Sequence, residues 1–305
     1  MRTVDTIYHS GEIKVQTQAG AVEAATSMGR QVFPVIAHHF VDFIQSQPFV
    51  VLGSADDRGL AWGSILCGRP GFMKVVDEHT LWIDALPGDQ DPLRGNLKDG
   101  SEVGLLVLDF FTRRRLRMNG RVVIGESGFS VQIRQVYSNC PRYIQSRICE
   151  SMEDTPVAPQ TAREAVSLNE ELRERIGRAD TFFVASYHPE VGADVSHRGG
   201  FPGFVQVLDE GTIVWPDYNG NGMFNTMGNI TENPNCGMLF LDFERGGTLQ
   251  LSGTADIIWE KDRVALFPGA ERIIEFRIKR VIEVENATDL RWSFVEYSPD
   301  NPWFC

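Results

Sequence analysis

The chain has 305 residues, 42 % of them hydrophobic, with a formal net charge of −12 and five cysteines. That length suits two domains of roughly 100–200 residues each, and the composition gives both a core without metal or disulfide staples. The acidic balance repels phosphate backbones and anionic lipid, which excludes nucleic acid and membrane surfaces as partners; local N–H groups and an arginine can still hold a small anion.

Cys67, Cys140, Cys149, Cys236 and Cys305 form no CxxC pair, and their odd number fits free thiols in a reducing cytosol. The N-terminal MRTVDTIYHSGEIKVQ lacks the apolar centre of a signal peptide. No run reaches the ~20 apolar residues of a membrane helix. The expectation is a soluble, cytoplasmic protein.

Residues 1–30 read as an arm or a loose helix packing on the outside. A helix is predicted over 32–45, where Val32, Val35, Ile36, Phe40, Phe43 and Ile44 recur at helical spacing before Pro48. Strands are predicted at 49–54, 72–76, 80–85, 103–110, 115–124 and 129–136, separated by turn residues such as Arg69-Pro70-Gly71 and Asp77-Glu78. A helix over 139–151 closes this half. Pro156 and Pro159 place a linker at 154–160, and a charged amphipathic helix over 162–176 leads into the second half. Strands follow at 181–187, 203–208, 212–216, 237–243, 248–259 and 272–284.

The two halves repeat each other. Phe49 pairs with Phe182, Leu108-Asp109-Phe110 with Leu241-Asp242-Phe243, Asn96 with Asn229 and Gly120 with Gly253, all 133 residues apart. Gly68, Pro70, Gly71 and Phe72 recur as Gly200, Pro202, Gly203 and Phe204 at an offset of 132. Such constant register marks duplication of one domain. Many short strands at this spacing indicate a small barrel rather than a βαβ sheet. The domains are read as 1–30 (arm), 31–153 (first barrel), 161–290 (second barrel) and 291–305 (tail).

Two glycine- and asparagine-rich stretches of the second half, 196–205 and 215–229, carry the chemistry. Glycines admit close approach of a ligand and φ > 0, where N–H groups converge on an anion. On composition alone, a turn-rich connection between barrel strands reads equally well. No Walker, Rossmann or nucleophile-elbow pattern is present, and His188, His197 and Asp194 lack metal spacing. The basic run Arg113, Arg114, Arg115 and Arg117 is either a solvated turn or a contribution to the site.

SHRGGFPGFVQVLD (196–209), PDYNGNGMFNTMGNITENP (216–234), GMLFLDFERGGTLQLSGTA (237–255), NCPRYIQSR (139–147) and the YHSGE at 8–12 resemble the pyridoxamine 5′-phosphate oxidase-like superfamily of FMN-binding split barrels, in particular its duplicated-barrel members. The likeness runs from about residue 8 to about 285. It implies a mainly β fold with peripheral helices, in which two tandem split barrels form an intramolecular pseudo-dimer. It implies FMN along a strand at 201–206, with the ribityl chain and phosphate in the loop 215–226. The residues expected to bind it are Ser196, His197, Arg198, Pro202, Gly203, Phe204, Val205, Trp215, Asp217, Asn221, Met223, Asn225, Thr226 and Asn229, joined by Arg115 and Arg117 from the first half. Simpler members carry basic residues where Phe224, Asn225 and Thr226 stand here, so the phosphate must lean on Arg198 or on Arg115 and Arg117. Cys140 falls near the flavin by likeness and equally well in the core.

The first copy's loop, 84–96, carries Asp84, Asp89 and Asp91 against one arginine, Arg94. One competent site per chain is therefore expected, built from the second copy with the first as its wall. The implied function is an FMN-dependent oxidoreductase with a small-molecule substrate and an electron donor, possible as a homodimer. The alternative is a non-catalytic flavin or haem carrier.

Overall fold

The computed structural model describes residues 7–151, 159–220 and 222–303. The first half runs α1 (Ser10–Gln18), α2 (Val22–Gly29), a 3-10 turn at His38–Phe40, α3 (Val41–Ser46), β1 (Phe49–Ala55), β2 (Ala61–Cys67), β3 (Met73–Asp77) and β4 (Thr80–Ile83). It continues with α4 (Leu93–Asn96), β5 (Glu102–Asp109), β6 (Arg114–Ile124), β7 (Phe129–Ser138) and β8 (Ser146–Ser151). The second half runs β9 (Thr161–Ala165), α5 (Glu170–Arg178), β10 (Thr181–His188), β11 (Gly192–Gly199), β12 (Gln206–Val207) and β13 (Thr212–Tyr218). It ends with α6 (Asn225–Glu232), β14 (Asn235–Leu241), β15 (Thr248–Ile258), α7 (Lys261–Val264), β16 (Ala270–Glu285) and β17 (Leu290–Glu296).

The two main sheets share one strand order. The first is β2-β1-β5-β6-β7-β4-β3 and the second β11-β10-β14-β15-β16-β13-β12, with β9 added against β16. Both are open antiparallel sheets curled around their own core, as expected of split barrels. The halves meet through β1, β2 and β5 on one side and β10, β11 and β14 on the other. Phe49, Val51, Leu106 and Leu108 pack there with Phe183, Val195, Leu239 and Leu241. Close approach requires glycine: a Cβ on Gly104 would lie 2.6 Å from Asp194 Cα, and one on Gly237 2.5 Å from the Ala61 carbonyl oxygen. The chain is thus an intramolecular pseudo-dimer.

Several predicted elements differ. Residues 32–37 are not helical: Phe33, restricted by Pro34, exchanges backbone hydrogen bonds with Val136, and helix begins only at Val41. The helix predicted over 139–151 is absent. Pro141 and Tyr143 (φ 65°) break that stretch, and β8 pairs with β17, within the segment read partly as a tail. Residues 161–165 form β9, and α5 starts after Asn169, whose side chain accepts from Leu172 N. The 203–208 strand shrinks to β12. Pro202 and Gly203 (φ 93°) make residues 201–205 a turn, and the regular strand is β11, which the sequence reading passed over along with β2. Within the arm read at 1–30, the described residues 7–30 contain two helices, and α1 buries Gly11, Glu12, Val15 and Gln16 rather than lying loosely outside. The linker read at 154–160 falls mostly outside the described residues, as does Cys305.

A cationic cavity between the two halves

A cavity of about 350 Å³ opens between the halves, within the range of about 300–1,000 Å³ usual for small-molecule sites. Strand β6 of the first half presents Arg115 and Arg117, two residues apart and therefore on one face of the strand. Opposite them, the end of β11 supplies Ser196, His197 and Arg198, and β13 supplies Asp217 and Tyr218. The N-terminus of α6 contributes Asn225 and Thr226.

Cations exceed acids here. Arg117 forms a buried ion pair with Asp194, which also accepts from Tyr137 Oη. Arg198 lies in the field of Asp217, whose carboxyl is itself raised by burial against the opposing pull of Arg198 and Arg272. Arg115 has no acid partner among the described residues: burial, then the neighbouring Arg198 and Arg117, draw it down to about 9. Burial, then Arg115, Arg198 and Arg147, push His197 well below the usual imidazole range, so the ring is neutral. Arg115 Nη1 and His197 Nδ1 are 3.4 Å apart. The Nε atoms of Arg115, Arg117 and Arg198 and Nε2 of His197 are buried without a hydrogen-bond partner among the described residues.

The helix end adds to this. Phe224, at φ 62°, is the N-cap of α6 and gives it no side-chain cap. The first N–H groups of a helix have no partner within it and carry the positive end of the helix dipole. Beside them, Ser196 Oγ and Thr226 Oγ1 are hydrogen-bonded at 3.0 Å. An anion fits this cradle on three counts: unpartnered guanidinium nitrogens, an uncapped helix terminus and paired hydroxyls.

Of the residues singled out in the sequence, Ser196, His197, Arg198, Phe204, Asp217, Asn225, Thr226, Arg115 and Arg117 line the cavity, as does Cys140. The others lie elsewhere. Pro202 and Gly203 are exposed in the turn after β11, and Val205 and Trp215 are buried in the barrel core. Met223 packs with Tyr8, Ala25 and Tyr137. Asn229 bonds Ser186 Oγ at 2.9 Å and His9 at 3.0 Å. Asn221 is outside the described residues.

The sequence reading missed one wall, Ala19, Gly20, Ala21 and Ala24 of the α1–α2 segment. These helices are fixed to α6. Gly11 and Gly228 pack so closely that neither has room for a Cβ, Asn225 Nδ2 donates to Glu12 Oε1 at 2.6 Å, and Gln16 Nε2 donates to the Met223 carbonyl at 2.9 Å. Nothing in small residues near the N-terminus announces a wall some 200 residues away in the chain. Asn139 and Tyr143 also line the cavity; they lie inside the NCPRYIQSR segment, which was the available signal.

The profile of the pyridoxamine 5′-phosphate oxidase family matches residues 36–145 and again 168–287. The chain belongs to that family, in a form with two copies of its domain. The comparison with curated proteins gives no match. Among solved structures, HupZ of Group A Streptococcus is similar at 15 % identity, covering 37 % of this chain and 92 % of its own, with a TM-score of 0.31. An FMN-binding protein of Syntrophomonas wolfei matches at 12 % identity over 37 % and 87 %, TM-score 0.27. An FAD-binding protein of Mycobacterium smegmatis matches at 10 % identity over 40 % and 98 %, TM-score 0.29. No helix among the described residues is long and apolar enough to cross a membrane, and no group of metal-ligating side chains occurs among them.

Proposed function

We propose that the cavity holds FMN and that the protein is a flavin-dependent oxidoreductase of the cytosol, acting on a small molecule with a separate electron donor. One observation carries this reading: three arginines from both halves line one cavity with an uncapped helix terminus, and Arg115 lacks an acid partner among the described residues. A phosphate dianion supplies the missing charge.

In this reading Arg115 and Arg198 grip the phosphate, Arg117 is steadied by Asp194, and Ser196 and Thr226 donate to remaining oxygens. Tyr218, Phe204 and Phe224 offer apolar surface to a planar ring. When bound, a flavin supplies electron-pair transfer, while the protein contributes orientation and field. No side chain is assigned as acid or base.

The reading is tested by comparing FMN with riboflavin, which lacks the phosphate, in calorimetric titrations at fixed salt. FMN is expected to bind at least a hundredfold more tightly. Equal affinities, or no flavin binding at all, would overturn it. Bleaching of the bound flavin by NAD(P)H separates an enzyme from a passive carrier. The haem-carrier alternative rests on the unpartnered Nε2 of His197; a Soret band after haem titration, abolished by His197→Ala, would favour it.

A further inference from the structure

A second cleft, of about 360 Å³, opens where the first barrel meets the two-stranded β8–β17 sheet, and it shares no lining residue with the cationic cavity. Phe49, Leu108 and Phe110 form one side, and Ile148, Cys149 and Trp292 the other. The rings are arranged for aromatic contact: Trp292 meets Phe49 edge-on at 5.5 Å between centroids, and Phe49 stacks on Phe110 at 5.8 Å.

Two donors in this apolar setting have no acceptor among the described residues. Trp292 Nε1 and Arg147 Nη1 are both buried and unpartnered, in side chains only 4 % and 6 % exposed. Both residues line the cleft. Arg147 spends Nη2 on the two oxygens of Asp180, at 2.6 and 2.7 Å, and lies 4.0 Å from the ring centre of Phe243. Buried indole and guanidinium N–H groups nearly always find a partner, so these two point to an acceptor from outside the described residues.

Charge narrows the choice. Asp180 neutralises Arg147, and Asp109 places a further carboxylate in the lining, where it accepts from Phe111 N at 2.9 Å. A cleft lined by one carboxylate, and by one guanidinium already paired with Asp180, does not favour an anion.

We propose that this cleft is a second binding site, for a neutral planar aromatic compound bearing a carbonyl group. The ring lies among Phe49, Phe110 and Trp292, and the carbonyl oxygen accepts from the open N–H donors.

The test uses the full chain and three probes: 1-naphthamide, 1-naphthoate and naphthalene. Calorimetry gives affinities, and the ¹⁵N-resolved indole N–H resonance of Trp292 reports the hydrogen bond directly. 1-Naphthamide is expected to bind, to shift that resonance downfield, and to exceed both other probes at least tenfold. Trp292→Phe keeps the ring packing and is expected to lose most of that advantage. Ile148→Trp, at a half-exposed strand position, is expected to block binding without disturbing the core. Failure of 1-naphthamide to bind, an unmoved Trp292 resonance, or tighter binding of 1-naphthoate overturns the proposal.

Discussion

The cationic cavity has a counterpart in the other half of the molecule, and the two have opposite chemistry. Strand register equates Arg117, opposite Leu106, with Gln250, opposite Leu239, and Arg115 with Thr248. It equates Ser196, opposite Val184, with Ser64, opposite Leu52, so Ile65 and Leu66 stand where His197 and Arg198 stand in the second copy. The structural bond Asn229–Ser186 is repeated as Asn96–Ser54, each at 2.9 Å. The scaffold was kept and the charges were replaced.

What fills the counterpart is Asp91. Its carboxylate accepts from Ser64 Oγ at 2.6 Å, from Gln250 Nε2 at 3.2 Å, and from Leu93 N at 2.8 Å, at the start of α4. In the first copy, then, the chain's own carboxylate meets the hydroxyl, the facing strand and the helix terminus. In the second copy the hydroxyl is kept as Ser196, the facing strand carries Arg115 and Arg117, and the helix terminus is uncapped. The internal acid of one half outlines the external anion of the other.

The largest effect is expected from emptying the cationic side. Arg115→Ala with Arg198→Ala removes two charge-assisted contacts of about 1.5–3 kcal/mol each, so FMN affinity should fall about 10²–10⁴-fold in a calorimetric titration while riboflavin affinity changes little. Comparable losses for both ligands would show that the arginines do not face the phosphate.

Next is the closed side. Asp91→Ala strands the Ser64 hydroxyl, the Gln250 amide and the first turn of α4, at roughly 2–4 kcal/mol of stability, read as a lowered urea midpoint. Flavin binding at the cationic cavity should be unchanged. A neutral outcome would mean that the carboxylate is not the plug described here.

The smallest effect concerns Glu12, where α1 is joined to α6. Burial raises its carboxyl from 4.5 to about 7, against the opposing bonds from His9 N and Asn225. A raised acid binds its proton more tightly when folded, so its contribution is intact below about 4.5 and is lost as pH rises to about 7. Glu12→Gln should remove this decline and stabilise the protein above pH 7 by roughly 1–3 kcal/mol. Parallel stability–pH curves for the two proteins would contradict the assignment.

The repeat was legible because both copies kept their strands and turns in register, and it sufficed for the split-barrel pair. Elements stabilised by distant partners were not. Ser146–Ser151 is a strand only because Leu290–Glu296 lies beside it, and Thr161–Ala165 only because β16 offers an edge. Arg115 and Arg117 could be paired with Arg198 in the sequence because the duplicated family suggested that one barrel reaches over the other. Trp215 falls among the residues that the resemblance gives to the flavin, but alternation along β13 turns it into the core against Phe182. Asp91 read as one unfavourable charge among three; its role as a built-in cap needed the geometry of Ser64 and Gln250, which are distant in sequence.

The asymmetry of the two counterparts is tested most directly by the stoichiometry of flavin bound at saturation, from calorimetry and from the absorbance of flavin released from desalted protein. One FMN per chain is the expected result. Two per chain would show that Asp91 does not close the first site, and the account of a single phosphate cradle built by both halves would fall.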